Sequence, residues 1–255
     1  MNIGEPWPDL AEAAGRVHRM QEQRHQGAGT NPPRRFDDLD NLVYAPAFLV
    51  GAFSRVRDNK GARSAGVDHV VPRALGLAPA TVLADWPQAL TARRFVPTRV
   101  REQLTPKANG KLRRLGIPTA ADRTVQAAVK LGREPIFEAD CRPCRDGFRP
   151  RRRAQDAIAE IHYLGTPVRN YAGIFAADIA ACFDEIDHGA LMGRVRHRVG
   201  DKRGLALLRA FLRAGLLAGD GTHRQTLTPP PQGGILSPLL ANMALSGLDQ
   251  HFQAK

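Results

Sequence analysis

Three aspartates, Asp178, Asp184 and Asp187, stand together in the stretch IFAADIAACFDEIDH (174–188), within a chain whose formal net charge is +12. Carboxylates of this kind are where a hard cation could bind. Mg2+ takes octahedral oxygen coordination from one or two carboxylates together with substrate phosphates. Asp178 closes the short apolar run YAGIFAADI (171–179), which predicts a buried strand that would hold the carboxylate at a fixed sheet edge. A purely structural Asp178 would be a charge beside that strand with no stated partner. Asp187 directly precedes the helical stretch HGALMGRVRHRVG and suits an N-cap, where a carboxylate meets the helix dipole. Asp184 fits a turn or a ligand equally. Phe183 could wall off a nucleotide sugar, although on spacing alone an aromatic there is more often core.

Three further stretches carry chemistry. In PPPQGGILSPLLANMALSGLD (229–249), Gln232 offers an amide and Gly233-Gly234 a backbone able to approach a ligand, just before a helix opened by Ser237-Pro238. On its own, QGG is also an ordinary glycine loop before a capped helix. In TPKANGKLRRLGIP (105–118), Lys107, Lys111, Arg113 and Arg114 could grip a triphosphate or a nucleic-acid backbone, or form a solvated face. In GFRPRRRAQDAI (147–158), Arg149, Arg151, Arg152 and Arg153 surround a proline as a phosphate clamp would.

The elements that must position these residues read as an α+β order of helices, ribbon, helices, strand, helices. An amphipathic helix is predicted over 8–23, followed by a flexible stretch HQGAGTNPPRR, and a second helical segment over 36–57. Residues 93–118 read as a two-stranded ribbon around the turn KANGK. Asp122 is expected to cap a helix that stops at Pro135. Helices are also expected over 154–164, after Asp187, over about 201–217 and from Ser237 onward.

Composition narrows the function class. The 255 residues can bury a sizeable core, and the clustered basic excess points to nucleic acid before any other polyanion. Cys141 and Cys144 form a C-x-x-C pair, but no second pair or nearby histidine completes a zinc site. The longest apolar run, LVYAPAFLVGAF (42–53), is too short to span a bilayer and contains Pro46. The chain is therefore expected to be intracellular and without membrane association.

Taken together and in order, NKGARSAGVD (59–68), PKANGKLRRLGIPTAADRTVQAAVKLGREPIFEAD (106–140), GFRPRRRAQDAI, AADIAACFDEIDH and PQGGILSPLLANMALSGLD resemble group II intron reverse transcriptases, the intron-encoded maturases of bacteria. The resemblance implies a right-hand polymerase. An N-terminal helical region (1–57) would precede fingers with their N-terminal extension (58–165) and a partial palm (166–255) built of helices and short antiparallel strands. The implied activity is RNA-directed DNA polymerisation, a nucleotidyl transfer serving intron splicing and mobility, in the bacterial cytoplasm. By the resemblance Asp178 is a catalytic metal ligand, assisted by the Ile179 carbonyl, in a site that uses two Mg2+ ions. Phe183 selects deoxynucleotides; Lys107 or Lys111, with Arg113, contacts the triphosphate; Gln232 and Gly233 line the nucleotide pocket. Asn59, Lys60 and Gly61, with Arg149, Arg151 and Arg152, would meet nucleic acid. The implied partners are an RNA template and intron RNA, a DNA primer and deoxynucleoside triphosphates.

The family's Tyr-x-Asp-Asp hairpin would follow Asp249, yet the chain stops at Lys255, and its one adjacent aspartate pair, Asp37-Asp38, precedes every other motif. The sequence is thus expected to be an N-terminal piece, inactive as a polymerase by itself. Two alternatives stand beside this reading: a non-catalytic RNA-binding maturase fragment, and a relative among retron or diversity-generating reverse transcriptases.

Overall fold

In the computed structural model, the described residues are 7–76, 79–106, 110, 112–169, 171, 173–179, 182, 185–217, 223–224 and 233–253. In chain order the elements are α1 (Leu10–Thr30), α2 (Asp40–Val43), α3 (Pro46–Asp58), α4 (Pro79–Leu83), α5 (Trp86–Thr91), β1 (Val100–Pro106), β2 (Leu112–Ile117), α6 (Ala120–Ala139), α7 (Ala154–Leu164), α8 (His188–Arg198), α9 (Lys202–Arg213), β3 (Leu216–Leu217), β4 (His223–Arg224) and α10 (Ser237–Gln253). The fold is α+β, as expected.

α6 is the axis of the molecule. It buries most of its length and packs against α1, α2, α3 and α10. Pro46 opens α3 at a position where no amide donor is needed, and the helix then buries Phe48, Leu49, Val50, Phe53 and Val56. The main core joins Phe48, Leu49, Phe53 and Val56 to Val125, Val129, Leu131 and Ile136 of α6 and to apolar positions of α8, α9 and α10.

Helix α6 continues through Pro135, where the sequence predicted a stop. A proline inside a helix removes one amide and orphans the carbonyl four residues earlier. That carbonyl belongs to Leu131, and the Gln21 side-chain amide of α1 donates to it at 3.0 Å. The Pro135 carbonyl itself meets His25 Nδ1 at 3.1 Å. Two polar side chains of α1 thus satisfy the backbone around the proline. α1 also runs beyond the predicted end, to Thr30 just before Asn31-Pro32-Pro33, because its last turn is built into the core: Ala28 is buried and its carbonyl accepts from the Arg198 guanidinium at 3.1 Å.

The sheet order is β2-β1-β3-β4. β1 and β2 form the expected antiparallel ribbon, from Arg101 opposite Ile117 to Pro106 opposite Leu112. β1 pairs parallel with β3 through Val100 and Leu216, and β3 pairs antiparallel with β4. The helix predicted over about 201–217 therefore ends at Arg213, since Leu216–Leu217 joins the sheet. The stretch 173–179 is the largest departure. It forms no strand and is exposed, with Phe175 94% and Ile174 80% accessible. A strand needs neighbours for its backbone amides and carbonyls, and among the described residues no segment is paired with this one.

Candidate nucleotide and nucleic-acid site

The first two turns of α6 hold three loops. Thr119 caps the helix and Asp122 completes the cap: the Asp122 amide donates to Thr119 Oγ1 at 3.1 Å, and that hydroxyl donates back to the carboxylate at 2.8 Å. The cap is therefore Thr119, and Asp122 stands three residues inside. Asp122 is 2% exposed, and its oxygens accept from the Thr98 amide at 3.2 and 3.3 Å, fixing the entry to β1. Burial pushes its pKa up to about 6, against the lowering effect of the hydrogen bonds from Thr119 and Thr98.

Arg123 binds the second loop. Its guanidinium donates to the carbonyls of Pro118 (2.9 Å), Gly61 (2.9 Å) and Ser64 (2.6 Å). Arg101 of β1 adds a bond to the Ala65 carbonyl at 3.0 Å. The sequence NKGARSAG thus folds as a short 3-10 turn over Lys60–Arg63, with Asn59 Oδ1 accepting from the Gly61 amide at 3.1 Å. A side chain at Gly66 would place its Cβ 2.6 Å from Thr119 Cα, so only glycine lets this loop lie against the helix start. Lys60 and Arg63 are left exposed.

Gln126 binds the third loop. Its Oε1 accepts from the Ile235 amide at 3.0 Å, across the chain from α6 to the residues that precede α10. Gly233 has φ +129°, and a Cβ there would lie 2.6 Å from the Gly116 carbonyl of β2. The glycine loop therefore rests on the base of β2. Arg113 sits three residues up the same strand, roughly 10 Å away by strand rise, exposed and opposite Thr105. The structure thus brings Gly233, β2 and the 59–66 loop around one end of α6.

The arginine-rich loop is closed from within. Arg149 pairs with Glu138 at 2.7 Å and donates to the carbonyls of Arg142 (2.7 Å) and Arg145 (2.6 Å). Its guanidinium is committed to holding CRPCRDG in shape. Arg145 reaches α10, pairing with Asp249 and donating to the Asn242 carbonyl, each at 2.5 Å. Arg151 is exposed, and Arg152 meets Asp146 at 3.3 Å. A groove of about 1070 Å3 opens between the ends of α6, α8 and α10, and none of the site residues named from the sequence lines it.

Asp178 and Ile179 lie exposed in the irregular 173–179 stretch, with the Ile179 carbonyl accepting from the Cys182 amide at 3.3 Å. Asp187 caps α8, accepting from the Ala190 amide at 2.6 Å. Lys107, Lys111, Phe183, Asp184 and Gln232 lie outside the described residues. Among the described residues no three metal-ligating side chains cluster. Asp178 offers the oxygen donor that a hard divalent ion prefers. Sequence reasoning missed Arg123 and Gln126. The signal was available: polar residues at 122, 123 and 126 fall within the first two turns of a helix that also carries the apolar stripe Val125, Val129 and Leu131.

The model of the family described as reverse transcriptase (RNA-dependent DNA polymerase) matches residues 105–255, more than half of the chain. The chain belongs to the reverse transcriptase family. It is similar to Protein YkfC of Escherichia coli (strain K12), 34% identical over 241 residues that cover 94% of this chain and 63% of that protein. It is also similar to the group II intron-encoded protein LtrA of Lactococcus lactis subsp. cremoris, 34% identical over 219 residues that cover 84% of this chain and 35% of LtrA. The chain thus spans under two thirds of the length of either relative. Among solved structures, a chain of a partial Cas6-RT-Cas1–Cas2 complex shares the fold at a TM-score of 0.51 and 20% identity, covering 83% of this reverse transcriptase chain and 34% of that one. Reverse transcriptases in general work with divalent metal ions, and among the described residues no helix is long and apolar enough to cross a membrane.

Proposed function

We propose that this chain forms the fingers (58–165) and first part of the palm (166–255) of an RNA-directed DNA polymerase of the group II intron type. The observation that carries the reading is the seating of Gly233 on β2, below Arg113 and beside the α6 loops. In this reading Arg113, together with Lys107 or Lys111, meets the triphosphate of an incoming deoxynucleotide, and Gln232 and Gly233 line its pocket. Phe183 discriminates the sugar. The exposed Lys60 and the turn formed with Asn59 and Gly61 face template RNA, and Arg151 and Arg152 extend that basic surface. Arg149 acts by holding its loop.

Nucleotidyl transfer of this kind is mostly positioning and charge stabilisation, and cations held on a paired ribbon contribute to both. Asp178, with the Ile179 carbonyl, is assigned to Mg2+, which when bound would activate the primer hydroxyl and stabilise the leaving pyrophosphate.

Primer extension on an RNA template tests the assignment, with this chain carried in a longer polypeptide that supplies a Tyr-x-Asp-Asp hairpin. Mg2+-dependent extension that disappears in Asp178→Ala while RNA binding persists supports it; extension that survives in Asp178→Ala removes the metal role. RNA binding with no extension by that longer, unsubstituted polypeptide favours the alternative, an RNA-binding maturase fragment acting through phosphate and shape contacts.

A further inference from the structure

Gln126 is 5% exposed on a helix whose neighbouring positions are apolar, and burying an amide there is costly unless it is bonded. Its recorded partner is the Ile235 amide, 109 residues away in sequence. Because that partner can only donate, the amide oxygen is the atom that must face it. Ile235 lies two residues after Gly233 and just before α10, whose first helical bond runs from the Leu240 amide to the Leu236 carbonyl. The loop is therefore held at two points: the Gly233 backbone against the Gly116 carbonyl, and the Ile235 amide on Gln126. A carbon added at Gly234 would lie 3.5 Å from the same Gln126 oxygen, so that residue too runs close beside the side chain. Two fixed points two residues apart set both the position and the direction of the backbone between them.

We propose that Gln126 is a positioning residue for nucleotide binding: its side-chain carbonyl fixes the Gly233–Ile235 backbone over β2 and thereby sets the affinity for the incoming deoxynucleoside triphosphate. The inference rests on the reading of this loop as part of the nucleotide pocket. Gln126 touches no substrate in this role. It couples α6, on the fingers side, to the loop that begins α10, on the palm side, so that the basic ribbon and the glycine loop keep one spacing.

The experiment compares Gln126→Met, which keeps the size and loses the acceptor, with Gln126→Glu, which keeps an acceptor oxygen. Hydrogen exchange at the Ile235 amide and equilibrium titration with a fluorescent dTTP analogue are read on the full chain, with RNA binding and thermal unfolding as controls. Gln126→Met is expected to speed Ile235 exchange by about tenfold or more and to weaken dTTP binding by about tenfold, one hydrogen bond's worth. RNA binding should remain as in the unsubstituted chain, and Gln126→Glu should retain most of the protection. Unchanged Ile235 exchange in a folded Gln126→Met variant overturns the proposal. Faster exchange with unchanged dTTP affinity leaves the loop anchored by Gln126 but overturns the nucleotide-pocket reading. Should Gln126→Met fail to fold, exchange in Gln126→Leu decides the same question.

Discussion

α6 and α7 have similar apolar periodicity and opposite fates. α6 buries most of its side chains between α1, α3 and α10, whereas α7 buries none. Ile158, Ile161 and Tyr163 of α7 stay exposed, as do Val168, Tyr171, Ile174 and Phe175 beyond it. Both helices have satisfied N-termini: Thr119 and Asp122 cap α6, and the Asp156 carboxylate accepts from the Arg153 amide at 2.9 Å in α7. Local signals therefore suffice to start either helix, and packing separates them. The difference teaches that an apolar stripe specifies a helix but not its partner. The anchored part of the molecule holds the glycine loop and the ribbon, and the exposed segment that follows α7 holds Asp178.

The contrast can be broken most forcefully from the α6 side. Leu131→Ala is expected to cost about 2–5 kcal/mol, because Leu131 is 1% exposed and its removal leaves a cavity. Chemical denaturation checks this, and a loss below about 1 kcal/mol would deny α6 its central place. Next comes pH. Asp122 holds its proton up to about 6 in the folded chain, against the usual 3.8. Between those values the folded state binds the extra proton, so stability should fall as pH rises from about 4 to 6 and level off above, by up to about 3 kcal/mol. Asp122→Asn should flatten that part of the stability curve. The same slope in the variant would assign the effect elsewhere, Asp68 being the acidic neighbour that adds to the shift.

A smaller effect tests the accommodated proline. Gln21→Ala leaves the Leu131 carbonyl without its side-chain donor and should cost about 1–3 kcal/mol. Replacing Pro135 by alanine in the same background should recover much of that loss, since the restored amide bonds the carbonyl within the helix. Additive effects of the two substitutions would contradict the pairing. The smallest change is expected on α7: Ile161→Gln should alter unfolding by no more than about 0.5 kcal/mol, Ile161 being 52% exposed. A loss comparable to that of Leu131→Ala would mean the two helices are equally packed.

Much of the local structure was legible in the sequence. The ribbon around KANGK, the Asp187 cap, the opening of α10 at Ser237 and the α+β order are set by turn residues, capping residues and period, all of which act over a few positions. The chemistry-bearing stretches were legible for the same reason, as residue types at fixed spacing. Other features depended on distant partners. Pro135 signals a helix end by every local rule, and Gln21 and His25, more than a hundred residues earlier, reverse that signal. Arg149 has the composition of a phosphate clamp until Glu138 and two loop carbonyls occupy it. The apolar run before Asp178 has the pattern of a buried strand, yet without a neighbour it forms none.

By itself, then, the sequence determined the family, most of the local elements and the residue types able to do chemistry. Tertiary structure decided which of them are brought together: Gly233 over β2, Gln126 beneath Ile235, and Arg123 across the loop at 59–66. The physical reason is that propensity and capping are local free energies. Burial and the satisfaction of backbone groups are settled only when segments far apart in the chain meet.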